Sequence, residues 1–282
     1  MSLAIITDPS KLLEVVNQQK AAGRQVGLVP TMGALHAGHL SLVQQSTLGT
    51  DFTVVTIFVN PTQFAPTEDL DQYPRDLQRD VELLSGYGVD VVFAPSVNSM
   101  YPAGASTSIV PPEVARPLEG ELRPGHFEGV ATIVLKLFNL VPADVAFFGQ
   151  KDFQQTRVIA DMIRDLNIPI DMKVCPIVRE ADGLALSSRN AYLTPEQRQQ
   201  ATAISQSLFH IKTLVAEGQT DASELLQAAL QILADAAIGQ IDYVSLVDPQ
   251  TLTPVTQVSD NTIALAAAYV GSTRLIDNLF LN

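Results

Sequence analysis

The 282-residue sequence predicts an α/β fold: a parallel sheet with helices on both faces, followed by a smaller C-terminal α+β domain. Three observations predict it. Short apolar runs alternate with amphipathic stretches through the first part of the chain, as crossover helices between parallel strands require. Polar, glycine-containing segments follow directly on three of those runs, where ligands bind in such sheets, beyond the carboxyl ends of the strands. After about Val178 the order changes to helical patterns and then to strand-like runs, which suggests a separate small domain.

Element by element, the period-3.6 patterns predict helices over Asp8–Ala22, His39–Thr47, Arg75–Tyr87, Gly129–Leu140 and Phe153–Leu166. Between them, apolar and β-branched runs predict strands at Val26–Pro30, Thr53–Val59, Val89–Ala94, Val145–Phe148 and Ile170–Val174. Thr194-Pro195-Glu196 is a helix start: an N-cap hydroxyl, a proline at the first position and an acid in the first turn. It opens a helix through Val215, and Asp221–Ala236 reads as the next. Ile241–Val247, Thr262–Val270 and Thr273–Leu279 read as strands, the last two joined at Gly271-Ser272 by a hairpin turn. The boundary falls near Cys175–Val178, giving domains 1–176 and 177–282.

Composition excludes several classes. Seventeen Lys+Arg against 30 Asp+Glu leave a formal charge of −13, which argues against general affinity for nucleic acid or anionic lipid. No apolar run approaches the roughly 20 residues that span a bilayer, so no membrane partner is expected. The start, MSLAIITDPSKLLEVV, lacks the basic region and apolar core of a signal peptide. Cys175 is the single cysteine, so neither a disulfide nor a cysteine metal cluster is expected, and a cytoplasmic location fits.

The most informative segment is VGLVPTMGALHAGHLSLV. An apolar run ends at Pro30, Gly33 and Gly38 allow a tight turn, and His36 and His39 precede an amphipathic stretch. A helix starting near Gly38 would offer free N–H groups and a positive dipole end to an anion, and the spacing would set both imidazoles on one helical face. Phosphate chemistry is the resulting expectation; zinc ligation is the weaker alternative, for want of a third ligand nearby. In FVNPTQF, Asn60 and Gln63 close a strand with a proline turn, and an amide suits a ligand carrying hydroxyls and a carboxylate. Gly149-Gln150-Lys151-Asp152 follows another strand, and a lysine beside a helix start calls for an anion. Gln155 lies four residues beyond Lys151, on one face if the helix includes both. Ser187, Ser188 and Arg189 supply hydroxyls and a guanidinium suited to phosphate oxygens. The turn Arg123–Glu128, with His126, could form a lid, and Tyr73 and Arg75 could flank the site.

Pro30–His39, Phe58–Phe64, Phe148–Asp152 and Leu186–Asn190 together resemble the pantoate–β-alanine ligases, a family within the His-x-Gly-His nucleotidyl transferases. The resemblance implies a Rossmann-like sheet domain that binds ATP and pantoate, with a C-terminal lid domain. It implies ATP-dependent condensation of (R)-pantoate with β-alanine to pantothenate, AMP and diphosphate, through a pantoyl adenylate. It also implies Mg²⁺ held mainly by ATP, and a homodimer. His39 and His36 are then catalytic, with Lys151 and Arg189. ATP contacts fall on Met32, Gly33, Ala34, Leu35, His36, Ala37, Gly38, His39, Gly149, Gln150, Lys151, Asp152, Val178, Leu186, Ser187, Ser188 and Arg189. Gln63, Gln155 and Asn60 fall to pantoate, and Gln63 to β-alanine as well. A nucleotidyl transferase making a stable conjugate, and a nucleotide sensor without turnover, are the competing readings; the first does not need Gln63 and Gln155, and the second does not call for His39 and Lys151.

Overall fold

The computed structural model describes residues 3–66 and 68–281. Two compact units divide the chain: Met1–Gly149 with Gln155–Pro176, and Gln150–Gln154 with Ile177–Asn282. The second unit thus takes in a short stretch, 150–154, that the sequence-based boundary leaves in the first.

The first unit carries, among the described residues, a six-stranded parallel sheet: β1 (Ala4–Ile6), β2 (Val26–Thr31), β3 (Phe52–Ile57), β4 (Val91–Phe93), β5 (Val145–Gly149) and β6 (Asp171–Cys175). Their order is β1-β4-β3-β2-β5-β6. From β2 the chain winds one way to β3 and β4, then crosses back to β5 and β6, so the direction of winding reverses between β2 and β5. That reversal is where ligands bind in such sheets. β1 is the strand that sequence patterning misses; only three residues long, it pairs with β4 at the sheet edge and gives too short a run to read.

Alternation along the strands assigns the two faces. Val29, Val55, Val92 and Phe147 pack in one cluster with Leu40 and Val43 of α2 (Ala37–Gly49) and Leu84 of α3 (Leu77–Leu84). Phe148 points the other way and meets Phe138 of α6 (His126–Leu140) edge to face, ring centroids 6.4 Å apart. α1 (Pro9–Ala21) packs against α6 on that side. The one-turn helices α4 (Val97–Met100) and α5 (Glu119–Leu122) lie in the connection between β4 and α6. α7 (Phe153–Asp165) leads to β6.

In the second unit, α8 (Pro195–Ala216) and α9 (Ala222–Asp235) cover a three-stranded antiparallel sheet, β7 (Gln240–Val247), β8 (Ile263–Val270) and β9 (Thr273–Phe280), in that order. The α8 start is a full capping box: Thr194 Oγ1 accepts from the Gln197 N–H, and Gln197 Oε1 accepts from the Thr194 N–H. Alanines 264, 266 and 268, on one face of β8, are buried in the cluster with α8 and α9 and small enough for the helices to pack close to the sheet.

Candidate active site

β3, β2 and β5 are neighbours and parallel, so the segments after β2 and β3, and Gly149 at the end of β5, leave one edge of the sheet. Thr31 Oγ1 donates to the Thr56 carbonyl at 2.6 Å and accepts from the Gly33 N–H at 3.1 Å. Gly33 (φ 82°) and Ala34 (φ 50°) both take positive φ. A Cβ on Gly33 would sit 2.9 Å from Asp80 Oδ2 and 3.0 Å from Ile57 Cγ2, so glycine is needed for space as well as conformation.

The two N–H groups that follow do not face a ligand. Ala34 donates to Asp80 Oδ2 at 2.9 Å, and Leu35 donates to Oδ1 at 2.8 Å. Asp80, on α3, is 1% exposed. Burial raises its pKa, against the pull of the two backbone N–H bonds. The sequence alone does not single this residue out. Its signal is faint: an acid in the first turn of a helix reads as ordinary dipole chemistry.

His36 is not on the helical face with His39. It is the N-cap of α2, with extended backbone, and its Nδ1 accepts from the Gly38 N–H at 3.1 Å. The imidazoles nonetheless meet, ring centroids 4.1 Å apart, at the helix N-terminus. Because Nδ1 of His36 accepts, its Nε2 is the nitrogen left to donate. Ala37, Gly38 and His39 form the first turn of α2, whose early N–H groups have no partner within the helix. Two imidazoles beside that turn suit an oxyanion that gains charge during reaction.

Asn60 precedes and Gln63 ends a 3₁₀ turn, Pro61–Gln63, and both are buried. Asn60 Nδ2 donates to Gln63 Oε1 at 3.1 Å and to the Gly129 carbonyl at 3.2 Å. A Cβ on Gly129 would run into the Thr62 carbonyl, so glycine lets α6 pack directly on this turn. Gln63 Nε2 is 3.1 Å from Sδ of Met32, which joins the turns after β2 and β3.

The Arg123–Glu128 turn is tied to its surroundings by side-chain bonds. Arg123 forks onto Glu68, Nε to Oε1 at 2.6 Å and Nη2 to Oε2 at 2.8 Å. Burial pushes the Glu68 pKa up, but the Arg123 fork outweighs it and holds the carboxyl below its ordinary value. His126 is buried, and desolvation, helped by the Arg123 charge, lowers its pKa to about 4. Glu128 is exposed. Tyr73 packs edge-on against Phe64 at 5.9 Å, and Arg75 donates to the Leu70 and Tyr73 carbonyls.

Lys151 and Gln155 do not share a helix face. Lys151 belongs to a 3₁₀ turn, Gln150–Asp152, that precedes α7. Gln154 is buried and Gln155 half-buried in the first turn of α7. Within the second unit the turn is clamped by a residue that sequence reasoning missed. Asn278 of β9, buried, donates to the carbonyls of Gln150 (2.9 Å) and Lys151 (3.0 Å) and accepts from Gln150 Nε2 (3.1 Å). Lys151 Nζ lies 3.8 Å from Asp152 Oδ1.

The neighbouring residue, Asp277, takes a bidentate fork from Arg179 at 2.6 and 2.8 Å. Arg179 opens a tight hairpin, pairing with Ala185, and also stacks over Phe209 at 5.1 Å. Burial raises the Asp277 pKa, with Arg179 pulling against it. Val178 accepts from the Leu186 N–H at 3.0 Å, closing the hairpin. Ser187 caps the 3₁₀ segment Ser188–Tyr192 by accepting from the Arg189 N–H. Leu186, Ser187, Ser188 and Arg189 are all half-buried. Among the described residues, no group of three His, Cys, Asp or Glu side chains is arranged to hold a metal ion. Both oxygens of Asp80 are already taken by backbone N–H groups.

A family model described as pantoate-beta-alanine ligase matches residues 4–280. The chain belongs to that family. It is 51% identical over 259 residues to a pantothenate synthetase of Koribacter versatilis, covering 92% of this chain and 89% of the relative. Identity to that of Acetivibrio thermocellus is 49% over 279 residues, 99% of each chain. Among solved structures, a pantothenate synthetase from Thermus thermophilus superposes with TM-score 0.94 at 42% identity, covering 99% of each chain. The ligase from Francisella tularensis, described as complexed with β-γ ATP and β-alanine, gives TM-score 0.82 at 34% identity, over 99% of this chain and 98% of that one. The family's fold and the sheet-plus-small-domain architecture expected from sequence therefore agree.

Proposed function

We propose that this chain forms pantothenate from (R)-pantoate and β-alanine in two steps, through a pantoyl adenylate. The overall ATP-dependent condensation is the reaction of its family. A carboxylate resists attack by an amine because oxide is a poor leaving group. In the first step a pantoate carboxylate oxygen bonds to the α-phosphorus of ATP, and the bond from that phosphorus to the bridging oxygen breaks, releasing diphosphate. In the second, the β-alanine nitrogen bonds to the carbonyl carbon, the bond to the AMP oxygen breaks, and the amine loses a proton.

His39 and His36 donate to phosphate oxygens as charge builds in the first step. What supports this is the pair of imidazoles 4.1 Å apart at the N-terminus of α2, beside the reversal in the sheet. That juxtaposition carries the reading. The turn Met32–Leu35 shapes the approach to them, and Gln63 and Gln155 take pantoate, Gln63 also meeting β-alanine; Asn60, expected at pantoate too, instead supports Gln63, its amide engaged by Gln63, Gly129, Tyr101 and Thr62. Gly149–Asp152, Val178 and Leu186–Arg189 take ATP, with Lys151 and Arg189 countering phosphate charge. Mg²⁺ enters with ATP as part of the substrate, neutralising its phosphates. A cytoplasmic homodimer is the accompanying expectation from the family resemblance. No helix among the described residues is long and apolar enough to cross a membrane.

Diphosphate release with pantoate and ATP alone, and AMP release only when β-alanine is added, is the expected pattern. Label from ¹⁸O-carboxylate pantoate should appear in AMP; label in inorganic phosphate instead would overturn the adenylate. His39→Ala should slow diphosphate release by roughly 10²–10⁴. An unchanged rate removes His39 from the mechanism.

A further inference from the structure

Gln63, which the reading above assigns to pantoate, is held by bonds whose polarity can be worked out atom by atom. Carbonyl oxygens only accept, and arginine nitrogens only donate. The Asn60 atom 3.2 Å from the Gly129 carbonyl is therefore Nδ2. Its Oδ1 then faces two hydroxyls, Tyr101 at 2.9 Å and Thr62 at 3.0 Å, which both donate to it. With Nδ2 fixed, the Gln63 atom 3.1 Å from it must be Oε1. The Gln63 amide is thus oriented, and its NH₂ is turned toward Met32 Sδ, a weak acceptor.

The main chain of Gln63 is fixed by the same logic. Arg123 Nη1 lies 3.0 Å from His126 Nε2 and can only donate, so Nε2 accepts. Nδ1 carries the proton and donates to the Gln63 carbonyl at 2.8 Å. The Glu68 fork fixes Arg123 in turn. Two independent chains of bonds, Tyr101–Asn60 and Arg123–His126, end on the two polar ends of one residue.

We propose that Tyr101 and His126 are positioning residues that fix Gln63 as a hydrogen-bond donor, so that this position reads an acceptor oxygen of the acid substrate. The proposal rests on the assignment of Gln63 to pantoate. The sulfur contact is weak enough for a substrate oxygen to replace it, whereas Oε1 is already engaged by a buried amide. A group that can only donate at the corresponding place on a substrate analogue is rejected.

Steady-state kinetics on folded variants, checked by thermal melting, tests this. Gln63→Glu keeps size and shape but removes the NH₂ donor, and the KM for pantoate should rise on the order of 100-fold. Tyr101→Phe frees Asn60 to turn, and the same KM should rise roughly 3–10-fold, with the KM for ATP little changed. His126→Leu should act like Tyr101→Phe, and His126→Asn, which keeps an N–H where Nδ1 stood, should restore most of the loss. Unchanged pantoate KM in Tyr101→Phe and His126→Leu, with a large rise in Gln63→Ala, would overturn the positioning role alone. Unchanged KM in Gln63→Ala would overturn the pantoate assignment itself.

Discussion

In the first unit, the turns after β2 and β3 are held by hydrogen bonds that end on backbone groups: Asp80 on two N–H groups, His126 on the Gln63 carbonyl, Asn60 on the Gly129 carbonyl. In the second unit, the hairpin 179–185 is held mainly by ion pairs. Arg179 forks onto Asp277, and Arg198 reaches Glu180 at 2.6 Å and Asp182 at 2.8 Å. The turn at 150–152 follows the first pattern, through Asn278, and Arg179 adds a bond of that kind to the Gly183 carbonyl at 3.0 Å. The difference is one of directionality. Backbone-directed bonds fix the position of each N–H and carbonyl to within tenths of an ångström. Ion pairs tolerate adjustment, and the partly exposed ones at Arg198 are screened by salt.

Three substitutions or conditions would sharpen that contrast. The largest effect is expected from Asp277→Ala, which leaves the half-buried Arg179 guanidinium without its buried carboxylate; about 3–5 kcal/mol of stability should be lost in denaturant unfolding. A loss below about 1 kcal/mol would mean that the hairpin does not depend on the pair. Acid should act next, through the first unit. His126 sits beside Arg123, Glu68 and Glu119, and its pKa falls from 6.5 to about 4. The unfolded chain binds a proton there below pH 6.5 that the folded chain refuses until about pH 4. Stability contributed by the neutral imidazole is therefore complete above pH 6.5 and lost as pH falls to 4, about 3 kcal/mol in all. Unfolding free energies measured across that window, for the parent chain and for His126→Leu, should diverge in slope; parallel curves would refute it. The smallest stability effect is expected from Asp80→Asn. One oxygen becomes an NH₂, so one buried N–H of the Ala34–Leu35 pair loses its acceptor, at about 1–3 kcal/mol. Activity should suffer more than stability here, because the turn leads into His36; equal activity at equal ATP would show that the turn is not held by Asp80.

Much of the site was legible because its residue types are unusual for their places. Glycine at 33 and 38, two histidines three apart and a proline turn after a strand all depart from what a buried strand or helix would choose. The helices and strands of both units were legible for the opposite reason: their apolar periodicity is regular. What escaped were short or mixed-signal pieces, such as β1 and the 3₁₀ turn holding Lys151. The spacing of Lys151 and Gln155 read as one helical face only because a 3₁₀ turn and an α-helix start look alike over four residues.

The sequence by itself determined the alternation of elements, the family, and which glycine-, histidine- and amide-bearing segments follow the strands, because those depend on local pattern and on residue identity. Only the tertiary structure decided how the loops are held. Asp80 reaches 45 residues back to Leu35, Asn278 reaches 128 back to Gln150, and His126 reaches 63 back to Gln63. An acid, an amide and an imidazole at such separations look like solvated side chains until folding buries them against unpaired backbone groups. Burial then makes each of those bonds obligatory, and that sets the geometry of the turns.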